Sequence, residues 1–332
     1  MILVTGGTGL VGSHLLLELT KEGTAVVALF RSQEKVAKVE RFFAFAKAES
    51  QFSAIQWIKA DITDIPALEI AFNGITKVYH CAAMISFDPY DFNKLKKTNI
   101  EGTANVVNLC LSHTISKLVY LSSIATLAKT PNSPIDEENH WDPNVPNSVY
   151  AISKYGGETE VWRSTQEGLD AVIFNPGIIL GEGDYSSGSG ALFGRVAKGL
   201  NYYTKGGSGV IDVKDVVDMM IQGMESDIVN ERFILVAQNW TYKTLLAEIA
   251  SALQKKEPKR ALSTRILRLF RFLDAVKGLF SRKRKLTKVA VTSAQKVSEY
   301  SSAKTSEFFK YSPRDLTLCI ERVATHFRFV KS

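Results

Sequence analysis

The chain has 332 residues, 45% of them hydrophobic, and a formal net charge of +7. Its size predicts a large core, with one main domain and a smaller lobe, and no apolar run reaches the ~20 residues that a membrane-spanning helix needs. The three cysteines are scattered and show no metal-ligand spacing, which favours reduced thiols in a cytoplasmic protein without a metal site.

The chain begins with an apolar run, a glycine-rich turn and a helical pattern. Met1 to Val4 suits a buried parallel strand, and Leu10 to Leu19 is typical of a helix. Between them stand three glycines, where a pyrophosphate has to come close to the backbone at a helix N-terminus. The segment therefore predicts a dinucleotide-binding loop. The cofactor contacts predicted in this loop are Gly6, Thr8, Gly9, Leu10 and Gly12.

Hydrophobic runs then alternate with helical patterns. The predicted strands are 1–5, 25–30, 54–59, 77–81, 117–122 and 170–175, and the helices between them include 33–48, 95–113 and 150–167. This alternation predicts an α/β fold with a doubly wound parallel sheet of the Rossmann type. We expect a dinucleotide-binding domain over 1–176, to which later segments return, and a mostly helical substrate lobe over 177–332. The helices predicted for the lobe are 191–198, 242–253, 262–280 and 314–327.

The end of the second strand bears on the choice of cofactor. NAD-binding sites usually place Asp or Glu there, where the carboxylate binds the ribose 2′-hydroxyl. This strand ends instead in Leu29-Phe30-Arg31-Ser32, and a guanidinium at that point suits a 2′-phosphate. We therefore expect NADP with Arg31 as a phosphate ligand, while NAD stays open as an alternative.

Tyr150 and Lys154 form a second pattern. Residues four apart on a helix share a face, and a neighbouring cation lowers the pKa of a phenol from its reference of about 10. Tyr150 is therefore a candidate acid or base near neutral pH. The pair lies downstream of Ser122-Ser123, which ends the fifth predicted strand.

Taken in order, these motifs resemble those of extended short-chain dehydrogenases/reductases, most closely the branch of dihydroflavonol reductases and 3β-hydroxysteroid dehydrogenases. The matching segments are the glycine loop, Asp61-Ile62, His80 to Ala83, Thr98 to Thr103, Ser122-Ser123, Tyr150 with Lys154, Asn175 to Gly177 and Asp212 to Val216. The resemblance implies an NAD(P)-dependent oxidoreductase. The further cofactor contacts that it implies are Asp61, Ile62, Ala82, Ala83, Tyr150, Lys154, Pro176, Gly177 and Ile178.

The resemblance also implies roles for three catalytic residues. Ser123, rather than Ser122, donates a hydrogen bond to the substrate carbonyl oxygen. Tyr150 delivers a proton to the forming alkoxide. Lys154 lowers the pKa of Tyr150 and binds the ribose of the nicotinamide.

The residues around Ser123 narrow the reaction. Dehydratases of the family carry an Asp-Glu pair after the active hydroxyl, whereas Ile124-Ala125 stands here, so dehydration is not expected. These apolar residues and those near Met84 favour a ketone or aldehyde on an apolar body. The candidate substrate contacts are Met84, Ser86, Phe87, Ile124 and Asn175. Two alternatives stay open: an NAD-dependent nucleotide-sugar epimerase, and a dinucleotide-sensing regulator, a class that typically lacks the tyrosine–lysine pair.

Positive charge is concentrated in the predicted lobe. Residues 255–288 hold thirteen Lys and Arg against two acids, so the rest of the chain is net negative. Within it, 262–285 predicts a basic amphipathic helix, whose apolar face either covers the active site or makes a peripheral contact with an anionic membrane. The stripe consists of Leu262, Ile266, Leu269, Phe270, Leu273, Val276 and Phe280. No base-reading module accompanies the charge, so the expected partner of this monomer or homodimer is a small-molecule substrate and not a nucleic acid.

Overall fold

Twelve strands appear in the computed structural model, which describes residues 1–21, 23–128, 134–281, 283–284 and 286–331, with the backbone alone over 276–281. They are β1 (Ile2–Thr5), β2 (Val26–Phe30), β3 (Gln56–Lys59), β4 (Lys77–His80), β5 (Lys117–Leu121), β6 (Ala171–Pro176), β7 (Ile178–Leu180), β8 (Tyr202–Tyr203), β9 (Gly207–Asp212), β10 (Glu231–Leu235), β11 (Gln238–Thr241) and β12 (Arg260–Ala261). Seven of them form one sheet in the order β10-β6-β5-β4-β1-β2-β3. All neighbours in that sheet are parallel, as the alternating pattern predicted.

Helices cover the sheet and continue into the C-terminal part of the chain. They are α1 (Leu10–Lys21), α2 (Gln33–Phe45), α3 (Glu49–Ser53), α4 (Ile65–Ala71), α5 (Phe92–Leu95), α6 (Gly102–Ser112), α7 (Val149–Gln166), α8 (Gly190–Ala197), α9 (Val213–Glu225), α10 (Tyr242–Ala252), α11 (Thr264–Ser281), α12 (Lys288–Ser293), α13 (Ala303–Phe309) and α14 (Leu316–Lys331). Lys96–Glu101 forms a π-helical segment between α5 and α6.

The core lies on both faces of the parallel sheet. On one face α1, α2 and α9 contribute leucines, phenylalanines and methionines to a buried cluster. On the other face α4, α6 and α7 form a second cluster around Leu3, Val78 and Leu118. Because both faces are covered, β1 and β5 are each buried at all but one position, without the alternation of a half-exposed strand.

The chain beyond β6 adds a third apolar cluster. It joins α8, α10 and α14 to a small sheet in the order β11-β9-β7, while β8 pairs with β12. Strand β10 lies in the main sheet, where it pairs in parallel with β6. The main sheet therefore contains strands from both sides of the boundary predicted at residue 176.

The predicted strands and the helices of the first part are confirmed to within a few residues. The sequence reading missed α9 and the small sheet around β9. Helix α9 is short but strongly amphipathic, and the Asp212 side chain caps it by accepting from the Lys214 N–H. Strands such as β7 contain three residues, too few for an alternation pattern to be seen.

Candidate active site

The glycine loop connects β1 to α1 at the carboxyl edge of the sheet. Gly6 has a φ of +70°, a left-handed conformation that favours glycine, and a Cβ there would lie 2.7 Å from the Ala82 nitrogen. A Cβ on Gly12 would lie 2.2 Å from the Gly6 carbonyl oxygen, so the loop has no room for side chains. Thr8 and Leu10 are half-buried beside the exposed Gly9.

This close-packed loop turns the first N–H groups of α1 towards the sheet edge. The first N–H groups of a helix have no partner within it and, with the helix dipole, favour an anion. The backbone of Gly9 already starts the helix, since it bonds to Gly6 on one side and to Ser13 on the other. The loop geometry is therefore compatible with an anion at this helix end, where the sequence predicts a pyrophosphate.

Arg31 follows β2, at the same edge. Its Nη1 lies 3.2 Å from Asp61 Oδ2, so the two residues predicted for the adenosine end of the cofactor form an ion pair. Partial burial acts to raise the pKa of Asp61, but bonds from the Thr63 N–H and hydroxyl and from Arg31 hold it below its usual value. Ile62 next to it is buried, and the guanidinium of Arg31 stays more than half exposed.

The end of β4 carries the next predicted cofactor contacts. Ala82 is half-buried and Ala83 exposed, and the Ala82 N–H donates to Thr5 Oγ1 at 3.3 Å. Behind them His80 is buried between Thr5 Oγ1 at 2.6 Å and Thr103 Oγ1 at 3.0 Å. Burial and the Lys154 charge lower the pKa of His80 to about 3, so it stays neutral and fixes the strand end.

Asn99 holds the segment after Ala83 in place from the π-helical turn. Its side chain accepts from the Met84 N–H at 2.7 Å and donates to the Met84 carbonyl at 2.9 Å. Its amide also donates to Ser153 Oγ on α7 at 2.9 Å. Asn99 therefore braces the backbone of this segment. The wider turn of a π-helix, a feature frequent at functional sites, carries this residue.

Tyr150 lies in the first turn of α7, which Ser148 caps by accepting from the Ala151 N–H. Its phenol lies beside the hydroxyl of Ser123, which acts to lower the pKa of Tyr150, so the structure brings together the predicted proton donor and the predicted carbonyl ligand. The Phe87 ring stands 5.4 Å away, centroid to centroid. A substrate carbonyl can thus reach both hydroxyls beside an aromatic wall.

The expectation that Lys154 lowers the pKa of Tyr150 is wrong for this structure. Burial raises the pKa of Tyr150 to about 12, and the opposing influence is the hydrogen bond from Ser123. The Lys154 ammonium instead donates to Tyr120 Oη at 2.8 Å and to the Leu121 carbonyl at 2.9 Å. The hydrogen bonds of the buried ammonium therefore go to β5 and not to the phenol.

The candidate substrate contacts have different surroundings. Phe87 is exposed beside Tyr150, Met84 is half-buried, and Ser86 donates to Asp91 Oδ2 at 2.8 Å. Ile124 is almost fully buried in the helical turn after Ser123. Phe87 and Met84 therefore offer a surface to a ligand, whereas Ser86 is engaged within its own loop.

Asn175 and the residues after it lie at the end of β6. Asn175 is completely buried, and its amide nitrogen bonds to the Ser123 carbonyl, to Thr126 and to a carboxylate of α7. Pro176 ends the strand in the core, while Gly177 and Ile178 are half-buried where β7 begins. Within the protein Asn175 therefore holds the active-site loop, a contact that the sequence did not suggest.

Sequence reasoning missed Glu158, the carboxylate that Asn175 contacts. It lies on α7 one turn beyond Lys154 and is 1% exposed. The available signal was its spacing of four residues from Lys154, which places it on the same helical face. The described residues hold no group of three or more His, Cys, Asp or Glu suited to a metal ion. Across the described ranges, no helix combines the length and the apolar character that a membrane span requires.

A parallel sheet with a glycine loop at its carboxyl edge, beside a serine, a tyrosine and a lysine, defines a dinucleotide-binding oxidoreductase. The chain belongs to the NAD dependent epimerase/dehydratase family, whose model matches residues 2–235. It is 31% identical over 249 residues to tetraketide alpha-pyrone reductase 2 of Arabidopsis thaliana, covering 70% of this chain and 76% of the relative. It is 26% identical to sterol demethylase protein B of Methylococcus capsulatus, over 80% of this chain and 78% of the relative.

Solved structures share the whole fold. UDP-glucose 4-epimerase of Thermotoga maritima, solved with UDP-glucose, superposes with a TM-score of 0.79 at 19% identity, over 100% of this chain and 99% of that one. The crystal structure of gox2253 superposes with a TM-score of 0.83 at 24% identity, over 99% and 98% of the two chains. The protein is thus an NAD(P)-dependent oxidoreductase of the extended short-chain dehydrogenase/reductase type.

Proposed function

We propose that this enzyme uses NADPH to reduce a ketone or aldehyde on an apolar substrate, or runs the reverse oxidation. The observation that carries the proposal is the placement of the Ser123 hydroxyl beside the phenol of Tyr150, which in turn lies against the exposed ring of Phe87. Two hydroxyls that converge at one point suit a carbonyl oxygen, and the aromatic wall suits an apolar body. The reductase names of relatives such as the Arabidopsis thaliana protein support the same reaction class.

The side chains divide the reaction between them. The nicotinamide, when bound, supplies the hydride to the carbonyl carbon. Ser123 donates a hydrogen bond to the carbonyl oxygen, and Tyr150 donates its proton to the alkoxide. The raised pKa of Tyr150, about 12, keeps the phenol protonated and ready to act as the acid of a reduction. The role assigned to Lys154 is to bind the ribose that carries the nicotinamide.

The preference for NADP rests on Arg31. Its guanidinium is more than half exposed at the end of β2, where a ribose 2′-substituent would lie, and it uses Nη1 for Asp61. A guanidinium can bind a carboxylate and a phosphate through different N–H groups, and a charge-assisted bond of this kind is worth about 1.5–3 kcal/mol. Asp61 would then orient Arg31 towards the phosphate.

The test is a fluorescence titration of NADPH and NADH with the wild type and Arg31→Ala. The control is Arg41→Ala, which removes an exposed arginine from α2, the helix that follows Arg31. We expect Arg31→Ala to weaken NADPH binding about 10- to 100-fold and to leave NADH within about twofold. The Arg41 variant should match the wild type. Equal binding of both cofactors by the wild type would refute the NADP preference and favour an NAD-dependent epimerase.

Reductase activity is tested by following NADPH oxidation with a panel of aromatic, alicyclic and sterol-like ketones and aldehydes. The proposal expects turnover of at least one apolar carbonyl and loss of that turnover in Tyr150→Phe. Tight cofactor binding with no carbonyl reduced and no UDP-sugar epimerised would point to a dinucleotide-sensing regulator.

A second part of the proposal concerns α11, whose predicted apolar stripe does not pack on the site. Leu269 is 57% and Leu273 is 53% exposed, and Ile266 and Phe270 are exposed as well, while Leu267 faces the protein. The side chains of Val276 and Phe280 lie outside the part of the chain that the structure describes. Arg282 and Lys285 lie outside it entirely. An apolar face of this size on a soluble surface marks a contact site.

We propose that this face lies on an anionic lipid surface. The occupant is argued from charge, since the cleft between α11 and α12 is lined by Arg268, Arg271, Lys288 and Lys296. Apolar side chains that enter the acyl layer and cations that meet headgroup phosphates are the two halves of an interfacial helix, with about 1 kcal/mol per near-surface cation. Such a contact would give the enzyme access to apolar substrates dissolved in the bilayer.

Vesicle flotation tests this contact. We expect the wild type to float with phosphatidylglycerol vesicles and not with phosphatidylcholine vesicles, and Leu269→Glu to stay at the bottom. Leu318→Glu, which alters an equally exposed leucine on α14, is the matched control and should float. Flotation of both variants, or of neither protein nor variant, would overturn the lipid assignment. A dimer that Leu269→Glu dissociates, seen by light scattering, would assign the face to a second copy.

The remaining proposals are broader. We place the enzyme in the cytoplasm, as a monomer or homodimer. The cytoplasmic location is supported by the three cysteines Cys81, Cys110 and Cys319, which are all free thiols.

A further inference from the structure

Glu158 is the most deeply buried acid near the reacting groups. Its Oε2 accepts hydrogen bonds from Ser122 Oγ at 2.5 Å, Thr126 Oγ1 at 2.9 Å and Asn175 Nδ2 at 2.9 Å. A buried carboxylate is costly unless donors surround it, and this oxygen has three. Ser122 directly follows β5, Thr126 lies in the helical turn after Ser123, and Asn175 lies near the end of β6.

The other oxygen of Glu158 faces the opposite side. Oε1 lies 3.4 Å from Trp162 Nε1 and 3.4 Å from an Arg232 nitrogen on β10. Arg232 is held in turn by the Glu137 carbonyl, to which its guanidinium donates. The carboxylate therefore ties α7 to three strands of the sheet at once.

The donors of Glu158 also hold the backbone of Ser123. Thr126 Oγ1 lies 3.0 Å and Asn175 Nδ2 lies 3.1 Å from the Ser123 carbonyl oxygen. Ser122 is the preceding residue in the chain, so the polar groups fix the loop on both sides of Ser123. The direction of the Ser123 hydroxyl is thereby fixed through its backbone, by way of the donors that surround the Glu158 carboxylate.

Glu158 acts on Lys154 through charge. The groups that act on the Lys154 ammonium are Tyr120 and the Leu121 carbonyl on β5, His80 and Cys81 at the end of β4, and Glu158 on its own helix. His80 is neutral near pH 7, and burial raises the pKa of the Cys81 thiol to about 12, so it is neutral as well. Glu158 is therefore the carboxylate that balances the ammonium within this set.

We propose that Glu158 is the positioning residue of the active site, one that fixes the Ser123 loop through its three donors, two of them shared with the Ser123 carbonyl, and keeps Lys154 charged. The inference rests on the catalytic roles proposed for Ser123 and Lys154, and it assigns a task to a residue two helical turns from Tyr150. Burial lowers the pKa of Lys154 to about 8, and Glu158 opposes this effect. Without the carboxylate the ammonium would lose its proton at lower pH.

The decisive variant is Glu158→Gln, which keeps the size of the side chain and removes its charge. Glu160→Gln is the matched control, because Glu160 lies on the same helix and pairs with Arg163 near the surface. The first readout is NMR of lysine labelled with ¹³C at Cε, with the Lys154 signal assigned from Lys154→Arg. We expect the Lys154 titration to move down by about one pH unit in Glu158→Gln and to stay in place in the control.

The second readout is kinetic and separates the two tasks. Glu158→Gln should lower kcat about tenfold to 100-fold and move the alkaline limb of the pH profile to lower pH, because loop placement and lysine charge both change. Ser122→Ala keeps the charge and removes one donor. It should lower kcat while leaving the Lys154 titration and the position of the alkaline limb unchanged.

The outcomes are distinguishable from failure of the reductase proposal. If no carbonyl is reduced, the Lys154 titration and the pH dependence of NADPH binding still report on Glu158. An unchanged Lys154 titration in Glu158→Gln would refute the charge role, and an unchanged kcat in Ser122→Ala would refute the loop role. Should Glu158→Gln fail to fold, Glu158→Asp, which withdraws the carboxylate by one methylene, must shift the titration in the same direction or the proposal is overturned.

Discussion

Replacing Lys154 by methionine tests whether burial of the Lys154 ammonium makes the stability of the protein depend on pH. Lys154 is 1% exposed, and burial lowers its pKa from 10.5 to about 8. A shift of this size corresponds to about 3 kcal/mol. The unfolded chain keeps the proton up to about pH 10.5, whereas the folded protein releases it above about pH 8, so this group makes the folded state gain stability as pH rises through that window.

The assay is urea unfolding of the wild type and Lys154→Met at several pH values from about 7.5 to 10. The difference in unfolding free energy between the two proteins should change by about 2–3 kcal/mol in favour of the wild type over this range, since the variant lacks the titrating group. Taking the difference removes the contribution of the buried tyrosines, which both proteins share.

Lys97→Met is the control, because it removes an exposed lysine from the adjoining π-helical segment and shows how much the loss of any lysine alters the curves. A wild-type-minus-variant difference that stays constant within about 0.5 kcal/mol across the range would refute the reasoning. It would mean that the ammonium is as well solvated by its protein partners as by water.

Three further substitutions follow from the geometry. Tyr150→Phe should cost a factor of about 10²–10⁴ in kcat, because the proton donor is lost, with the NADPH dissociation constant nearly unchanged in a titration. Gly12→Ala places a Cβ 2.2 Å from a backbone carbonyl oxygen, so it should abolish cofactor binding and lower the melting temperature, and a variant with normal binding would contradict the loop assignment. Arg322→Met leaves the buried Glu182 and Asp212 without their shared cation, so the free energy of unfolding measured with urea should fall by about 3–5 kcal/mol. A loss of less than about 1 kcal/mol would contradict this expectation and would mean that water takes the place of the guanidinium.

The elements of the sheet could be predicted because their signals are local. Each strand is a short apolar run, and each flanking helix shows a period that a window of residues reveals. The glycine loop was predictable for the same reason, since its residues are adjacent in the chain and bind through the backbone. The pair of Tyr150 and Lys154 was predictable as a shared helical face, although its electrostatic consequence was not.

The polar partners could not be predicted, because they depend on which loops the sheet edge brings together. Arg31 and Asp61 meet because β2 and β3 are neighbours in the sheet, and each had been assigned a separate role. Lys154 bonds to Tyr120, a residue that reads as an ordinary strand position. The sequence showed which chemistry was present, while the distances between distant segments decided which groups interact.

Helix α7 carries two buried charged side chains and the candidate proton donor on one face. Tyr150, Lys154 and Glu158 follow one another at four-residue intervals, and Lys154 and Glu158 are each 1% exposed. Glu158 accepts hydrogen bonds from Ser122, Thr126 and Asn175 and lies 3.4 Å from an Arg232 nitrogen, so its retention is accounted for by the groups that surround it at the Ser123 loop. Replacing both Lys154 and Glu158 by apolar residues should therefore destabilise the fold, because these buried donors and the guanidinium lose their acceptor, and it should disturb the alignment of Ser123 as well.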